Sequence, residues 1–332
     1  MYEWCDVPAI YMFGDSTADV GNNNQLLGNE VPRANYSPYG IDYPGGIATG
    51  RFCNGKIAID YIAMMMRFKG SPPPYLSTID NPLKQAQGVN FASGGAGILG
   101  QNTSIYLNAQ LMDFKRTKEI LIKAKGKVRA KRFLAKSIIL FSIASNDLFA
   151  FTQNFGFQNT TKNSIFVSSL ASQFKNQIKI IYRQGGRKFV VFGVGRLGCI
   201  PALRAFNANY SCLEDMNNLS KLFNEALKME LHHLRSICRR MNVLYIDSYG
   251  INEVITSSPL KYGFTEIKAA CCALNARGLC LPNSTLCENR NQYISWDSIH
   301  PTQALYEVST NFAFYGSPTF AYPINIQELI FM

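Results

Sequence analysis

Histidine is scarce in this chain, with only three among 332 residues, at positions 232, 233 and 300. Chemistry that needs an imidazole must draw on one of them. Long apolar runs are also missing. None approaches 18 residues, so no membrane-spanning helix is expected. No G-x-S-x-G occurs, which excludes the usual nucleophile elbow of α/β-hydrolases. No internal repeat, long linker or composition shift divides the chain, so 1–332 reads as one domain. The opening Met1-Tyr2-Glu3-Trp4-Cys5-Asp6 has no basic region and no long apolar stretch, so this chain is expected to carry no secretory leader. Apolar residues make up 47% and charged residues 17%, a composition that supports a sizeable core and excludes a disordered or collagenous chain.

Cysteine, by contrast, is plentiful. Nine are present, more than an average cytosolic enzyme of this size carries. Cys271, Cys272, Cys280 and Cys287 crowd one segment without the C-x₂₋₄-C pairs that zinc prefers, so disulfides are expected there and no metal. Cys199 and Cys212 flank one loop after a strand and are the first expected pair. An odd count leaves at least one thiol over. Six N-x-S/T acceptors stand at Asn35, Asn102, Asn159, Asn209, Asn218 and Asn283. Together with the cysteines they point to a secreted glycoprotein whose leader is missing from this chain.

Near-continuous apolar segments mark strands buried on both faces: Val7–Phe13, Ser137–Ala144, Lys188–Phe192 and Val243–Ile246, with a short one at Gly88–Ala92. Helical patterns lie between them, near 54–66, 105–123, 163–184 and 215–240, and a last one is expected to begin at Pro301. The alternation predicts a mostly parallel sheet covered by helices on both sides. Segments 20–50 and 257–296 are rich in Gly, Pro, Asn and Cys and read as long functional loops.

Two patterns mislead. Gly193-Val194-Gly195-Arg196-Leu197-Gly198 fits the dinucleotide fingerprint, but Cys199-Ile200-Pro201 follows it where a helix should open, so it reads as a tight loop. Lys115–Arg132 holds nine basic residues against Glu119 alone, part of a net charge of 33 − 22 = +11. It lacks interleaved aromatics for stacking, so it reads as a solvated face and no nucleic-acid partner is expected.

Among the histidines, His232 and His233 sit in a charged helical pattern. His300 differs, standing three residues after Asp297 in Ser295-Trp296-Asp297-Ser298-Ile299-His300-Pro301-Thr302. A compact turn there lets Asp297 accept from Nδ1–H and fix the tautomer, leaving Nε2 for a substrate-side proton. A nucleophile needs a sharp exit from a buried strand. Phe13-Gly14-Asp15-Ser16-Thr17-Ala18-Asp19 offers Ser16 at such a place, where open α/β sheets put ligands. Asp15 and Asp19 suit loop and capping roles. Oxyanion donors could come from Asn90-Phe91-Ala92-Ser93-Gly94-Gly95-Ala96-Gly97 and from Asn146 in Ser142-Ile143-Ala144-Ser145-Asn146-Asp147.

With these segments in order, the chain resembles the plant GDSL esterase/lipase family of the SGNH hydrolase superfamily over nearly its whole length. The blocks are FGDSTADVGNNN at 13–24, NFASGGAGI at 90–98, SIASND at 142–147 and WDSIHPT at 296–302. GRFCNGKIAIDYIA at 50–63 and VFGVGRLGCIP at 191–201 add to the resemblance. It implies a three-layer α/β/α flavodoxin-like fold. It implies Ser16 as nucleophile, His300 as base and Asp297 as its orienter. The oxyanion donors it implies are the Ser16 and Gly95 N–H groups and the Asn146 side chain, with Gly94 as a close rival to Gly95. The expected activity is carboxylester hydrolysis of small-molecule or lipid esters through an acyl-enzyme, without cofactor or metal. Acyl transfer to an alcohol and binding without turnover are the alternatives, and the oligomeric state is left open. Two positions depart from the family pattern: Thr17 replaces Leu, and Ala144 stands where Gly is usual. If the backbone at 144 needs a positive φ, Ala strains it by about 1 kcal/mol.

Overall fold

The computed structural model describes residues 7–85, 87–100 and 104–332. Cys5 and Asn102 lie outside them. Strands β1 (Ile10–Gly14), β2 (Gly88–Asn90), β3 (Ile138–Ser142), β4 (Lys188–Phe192) and β5 (Asn242–Ile246) form one parallel sheet in the order β2-β1-β3-β4-β5. That is the doubly wound, flavodoxin-like order, whose winding reverses between β1 and β3. The strands are almost wholly buried. One face of the sheet packs Tyr11, Phe13, Phe141, Phe189 and Val191 and the other packs Ile10, Met12, Leu140, Val190 and Leu244. A residue pointing either way meets a helix layer, which is why these segments read as continuous rather than alternating.

The helices Leu107–Lys125, Thr160–Gln184 and Glu214–Ile237 bury their apolar stripes on the first face. Ala58–Met65, Ser248–Ser257 and Gln303–Tyr315 cover the second. Local chemistry sets several starts. Asn159 accepts from Lys162 N–H, Asp247 from Gly250 N–H and Thr302 from Leu305 N–H.

Several expectations need correction. The basic run bends at Gly126 (φ 78°), and a second helix, Lys127–Lys136, follows it. Its cations are exposed except for Lys118, which is partly covered. The helices Ser145–Phe155 and Ser248–Ser257 were not anticipated. Pro301 does not open the helix Gln303–Tyr315, because its segment bridges back to Ser295 and Thr302 takes the cap, and that helix is not the last, since Ile326–Phe331 follows. The segment 257–296 is not wholly irregular: β6 (Glu266–Ala270) pairs in parallel with β7 (Tyr293–Ser295). A final two-residue strand, β8 (Ala321–Tyr322), adds to β5 antiparallel at the sheet edge.

Among the described residues three disulfides are present: Cys199–Cys212, Cys271–Cys287 and Cys272–Cys280. Cys53 and Cys238 are free and buried. Among the described residues no helix is long and apolar enough to cross a membrane.

Candidate active site

The switch point of the sheet brings the expected residues together. The C-terminal ends of β1 and β3 are adjacent, and Gly14 makes their close approach possible. A Cβ there would lie 2.2 Å from the Ser142 carbonyl oxygen, which instead accepts from Asp15 N–H at 3.1 Å. The buried Gln110 side chain clamps the same residue, accepting from Gly14 N–H at 2.9 Å and donating to its carbonyl at 2.8 Å. Ser16 follows in a tight turn held by Asp15, whose carboxylate accepts from the Thr17 amide and hydroxyl. Burial pushes Asp15 above the usual carboxylate range.

Ser16 Oγ lies 2.8 Å from His300 Nε2. On the other side of the ring, Nδ1 is 2.9 and 2.8 Å from the two oxygens of Asp297. The D-x-x-H turn is as compact as its spacing suggests: Asp297 Oδ1 also accepts from the Ile299 and His300 amides, both at 2.8 Å. Trp296 N–H donates to the His300 carbonyl at 2.8 Å and closes the turn. Asp297 is fully buried and His300 nearly so, with Phe52 against the imidazole at 4.9 Å.

One supporting residue carried no sequence signal. Tyr39, inside the segment 20–50, donates its hydroxyl to Asp297 Oδ2 at 2.7 Å and accepts from Cys280 N–H at 3.1 Å. Burial, and then the Asp297 charge, push its phenol far up, so it stays protonated and keeps donating. Gln110 was also missed. A lone buried amide in a helical pattern has no spacing that marks it.

On the opposite side, Asp19 organises two blocks. Its carboxylate accepts from the Gly21 and Asn22 amides at 2.7 Å, from Asn23 at 3.4 Å and from Gly94 at 3.0 Å. The Gly94 N–H is therefore occupied, which separates Gly94 from its neighbour. Gly95, at φ 84°, and Ser16 both have N–H groups without a hydrogen bond among the described residues. Positive φ at Gly95 turns that amide in a way a side-chain-bearing residue rarely adopts. Asn146 donates one amide hydrogen to the Ala96 carbonyl at 2.9 Å, which orients the group and leaves its second hydrogen for a ligand. Next to it, Asp147 accepts from Ile98 and Leu99 N–H at 2.9 Å. Burial raises Asp19 and Asp147 to about 6 each. Ala144 has φ 117° and ψ −17°, so the position does adopt the left-handed region that favours glycine.

A cavity of about 180 Å³ starts one residue from Ser16, at Thr17, and one from His300, at Ile299 and Pro301. Its walls are mostly apolar, with Ile59, Ile143, Val194 and Leu305 among them. The Thr17 hydroxyl reaches the Ser142 hydroxyl at 2.8 Å across this mouth. The glycine-rich segment 193–198 supplies another wall. It runs into a short turn of 3₁₀ helix at Leu197–Cys199, with no long helix opening for a pyrophosphate.

Residues 10–311 match the family model described as GDSL-like Lipase/Acylhydrolase. The chain belongs to this family. GDSL esterase/lipase At1g71691 of Arabidopsis thaliana is 36% identical, an alignment covering 97% of this chain and 85% of that one. GDSL esterase/lipase 7 of the same plant is 34% identical over 97% and 92% respectively. Among solved structures, phospholipase A1 from Streptomyces albidoflavus NA297 aligns with a TM-score of 0.40 and 16% identity over 92% of this chain and 96% of that one, a likeness that carries no functional weight. Family membership makes the GDSL protein a serine ester hydrolase. Neither acyl transfer nor binding without turnover is favoured by its relatives.

Proposed function

We propose that hydrolysis proceeds through an acyl-enzyme on Ser16, with His300 as base and Asp297 as its orienter. The observation that carries this reading is the continuous hydrogen-bonded line from Ser16 Oγ through the imidazole to a fully buried carboxylate. Ser16 Oγ attacks the ester carbonyl as its proton passes to His300 Nε2. Asp297 holds the ring in the tautomer with hydrogen on Nδ1 and stabilises the imidazolium that forms. The carbonyl oxygen, now negative, takes hydrogen bonds from the Ser16 and Gly95 amides and the Asn146 side chain. His300 returns the proton to the departing alcohol oxygen. Water then repeats the sequence on the acyl-enzyme and releases the acid. No step calls for a metal or organic cofactor.

Secretion is part of the same proposal. Three disulfides suit an oxidising compartment. The five N-x-S/T asparagines among the described residues, 35, 159, 209, 218 and 283, are all exposed, as glycosylation requires.

Ser16→Ala tests the mechanism. It is expected to keep its fold and lose about 10⁴–10⁶ of kcat on p-nitrophenyl esters. Retention of more than about a tenth of the activity, a difference under about 1.4 kcal/mol, removes Ser16 from the chemistry.

A further inference from the structure

The cavity beside Ser16 is apolar apart from a few hydroxyls and amides, and among the described residues Arg196 is the one charged side chain on its walls. The guanidinium is half-buried, and among the described residues no carboxylate pairs with it. Its Nη1 donates to the Thr256 hydroxyl at 3.0 Å, and the Tyr249 ring lies 5.9 Å away. Nε is buried and makes no hydrogen bond. A buried donor of a charged group left unmatched is unfavourable, so most are paired.

Two other arginines of this chain show what that edge is suited to hold. Arg51 places Nε 2.8 Å and Nη2 2.7 Å from the two oxygens of Asp60. Arg290 does the same with Asp42, at 2.7 and 2.6 Å. Both use the Nε/Nη2 edge, the side-on fork that fits a planar carboxylate. In Arg196 the remaining nitrogen, Nη1, is the one engaged by Thr256, and the Nε/Nη2 edge is left without an acid. A fork of this kind, on the wall of an apolar cavity that Thr17 and Ile299 also line, has the chemistry of a substrate-anion receptor.

We propose that Arg196 is a specificity-determining residue that binds an anionic group, carboxylate or phosphate, on the part of the ester that enters this cavity. The proposal rests on the hydrolase reading above and adds the substrate class: esters bearing a negative charge at a short distance from the scissile carbonyl. Arg196 moves no proton in the reaction. It supplies binding, so its removal acts mainly on KM for charged esters.

The test compares mono-p-nitrophenyl glutarate with p-nitrophenyl pentanoate, of equal chain length, on wild type, Arg196→Gln and Arg196→Lys. The charged-to-neutral ratio of kcat/KM is expected to fall about tenfold or more in Arg196→Gln, chiefly through KM, and less in Arg196→Lys, which keeps the charge and loses the fork. Competitive inhibition by free glutarate and by inorganic phosphate separates the two anion classes, and the stronger inhibitor is expected to lose its advantage in Arg196→Gln. An equal ratio in wild type and Arg196→Gln overturns the proposal while leaving the hydrolase reading intact. Failure of wild type to turn over either ester counts against the hydrolase reading instead. In that case thermal stabilisation by glutarate or phosphate decides for the anion site if Arg196→Gln loses it, and against it if both proteins respond alike.

Discussion

The two halves of the candidate active site are held by different physics. On the Ser16 side, buried carboxylates gather backbone amides: Asp15 takes Thr17, Asp19 takes four N–H groups across two blocks, and Asp147 takes Ile98 and Leu99. On the His300 side, Asp297 takes the Ile299 and His300 amides in the same way, but covalent links and one phenol anchor the turn itself. Cys271–Cys287 and Cys272–Cys280 cross-link the segment before the Asp297 turn, and Tyr39 ties Asp297 to Cys280. The loops on the Ser16 side grow directly from β1 and β3, so short polar contacts suffice to fix them. The D-x-x-H turn leaves a long excursion that has little regular structure, and closing such a loop by packing alone is entropically unfavourable. Stability of the first half should therefore depend on pH, and that of the second on thiol oxidation.

The largest effect expected tests the covalent half. Cys271→Ala with Cys287→Ala opens a link between residues 16 apart, and should destabilise the fold by about 3 kcal/mol. Denaturant unfolding of this variant against wild type reads the difference. A loss under about 1 kcal/mol would mean that packing around Trp296, and not the cross-link, holds this half.

The carboxylate half should show in the pH dependence of stability. Burial raises Asp19 and Asp147 from 3.8 to about 6 in the folded state. Between about pH 4 and 6 the native protein keeps protons that the unfolded chain has released. Stability from these groups is thus complete below about pH 4 and declines as pH rises through 6. Melting temperature across pH 4–7 is expected to carry this slope in wild type and in the disulfide variant alike. Asp147→Asn should melt lower throughout, because its NH₂ faces backbone donors, and with a shallower slope. An unchanged slope would remove Asp147 from the linkage.

Much of this organisation was legible in the sequence. Four of the five parallel strands announced themselves because a strand buried on both faces is largely apolar, whereas the short β2, with buried Asn90, was the weakest signal. Ser16, Asp297 and His300 stood out because a strand exit, a compact turn and a scarcity of histidine narrow the choice. Cys199–Cys212 followed from its place around one loop, whereas pairings among the four clustered cysteines needed the folded chain, since spacing does not fix connectivity. The helices Ser145–Phe155 and Ser248–Ser257 were hidden because each begins directly at a strand end, where apolar strand and helix patterns run together. Tyr39 was hidden for another reason: its partner lies 258 residues away, and a tyrosine in a polar loop has no periodicity.

Tyr39 links the halves of the comparison to function. Tyr39→Phe removes one hydrogen bond to a buried carboxylate and also strands Cys280 N–H. A loss of about tenfold in kcat is expected, as for one hydrogen bond to a charged group, with little change in KM. A change confined to KM would place Tyr39 in substrate binding rather than in holding Asp297.

The smallest effect concerns Ala144, and its size follows from terms that oppose one another. At φ 117° an alanine is strained by about 1 kcal/mol, which glycine relieves. Its methyl group is fully buried in the first core layer, and losing it costs about 0.8 kcal/mol. Glycine also gives the unfolded chain more freedom, a further loss of about 0.4–1 kcal/mol. Ala144→Gly should therefore leave stability within about 1 kcal/mol of wild type, and slightly lower if it moves at all. Activity is set by a different quantity, the placement of Asn146 two residues on. The Ala96 carbonyl already anchors that amide, so strain at 144 reaches it only weakly. A kcat equal to or a few-fold above wild type is expected from steady-state assays of the variant. A tenfold fall would show that the Ala144 methyl packs the start of the helix Ser145–Phe155 into register, and that the carboxylate half relies on side-chain packing as well as on hydrogen bonds.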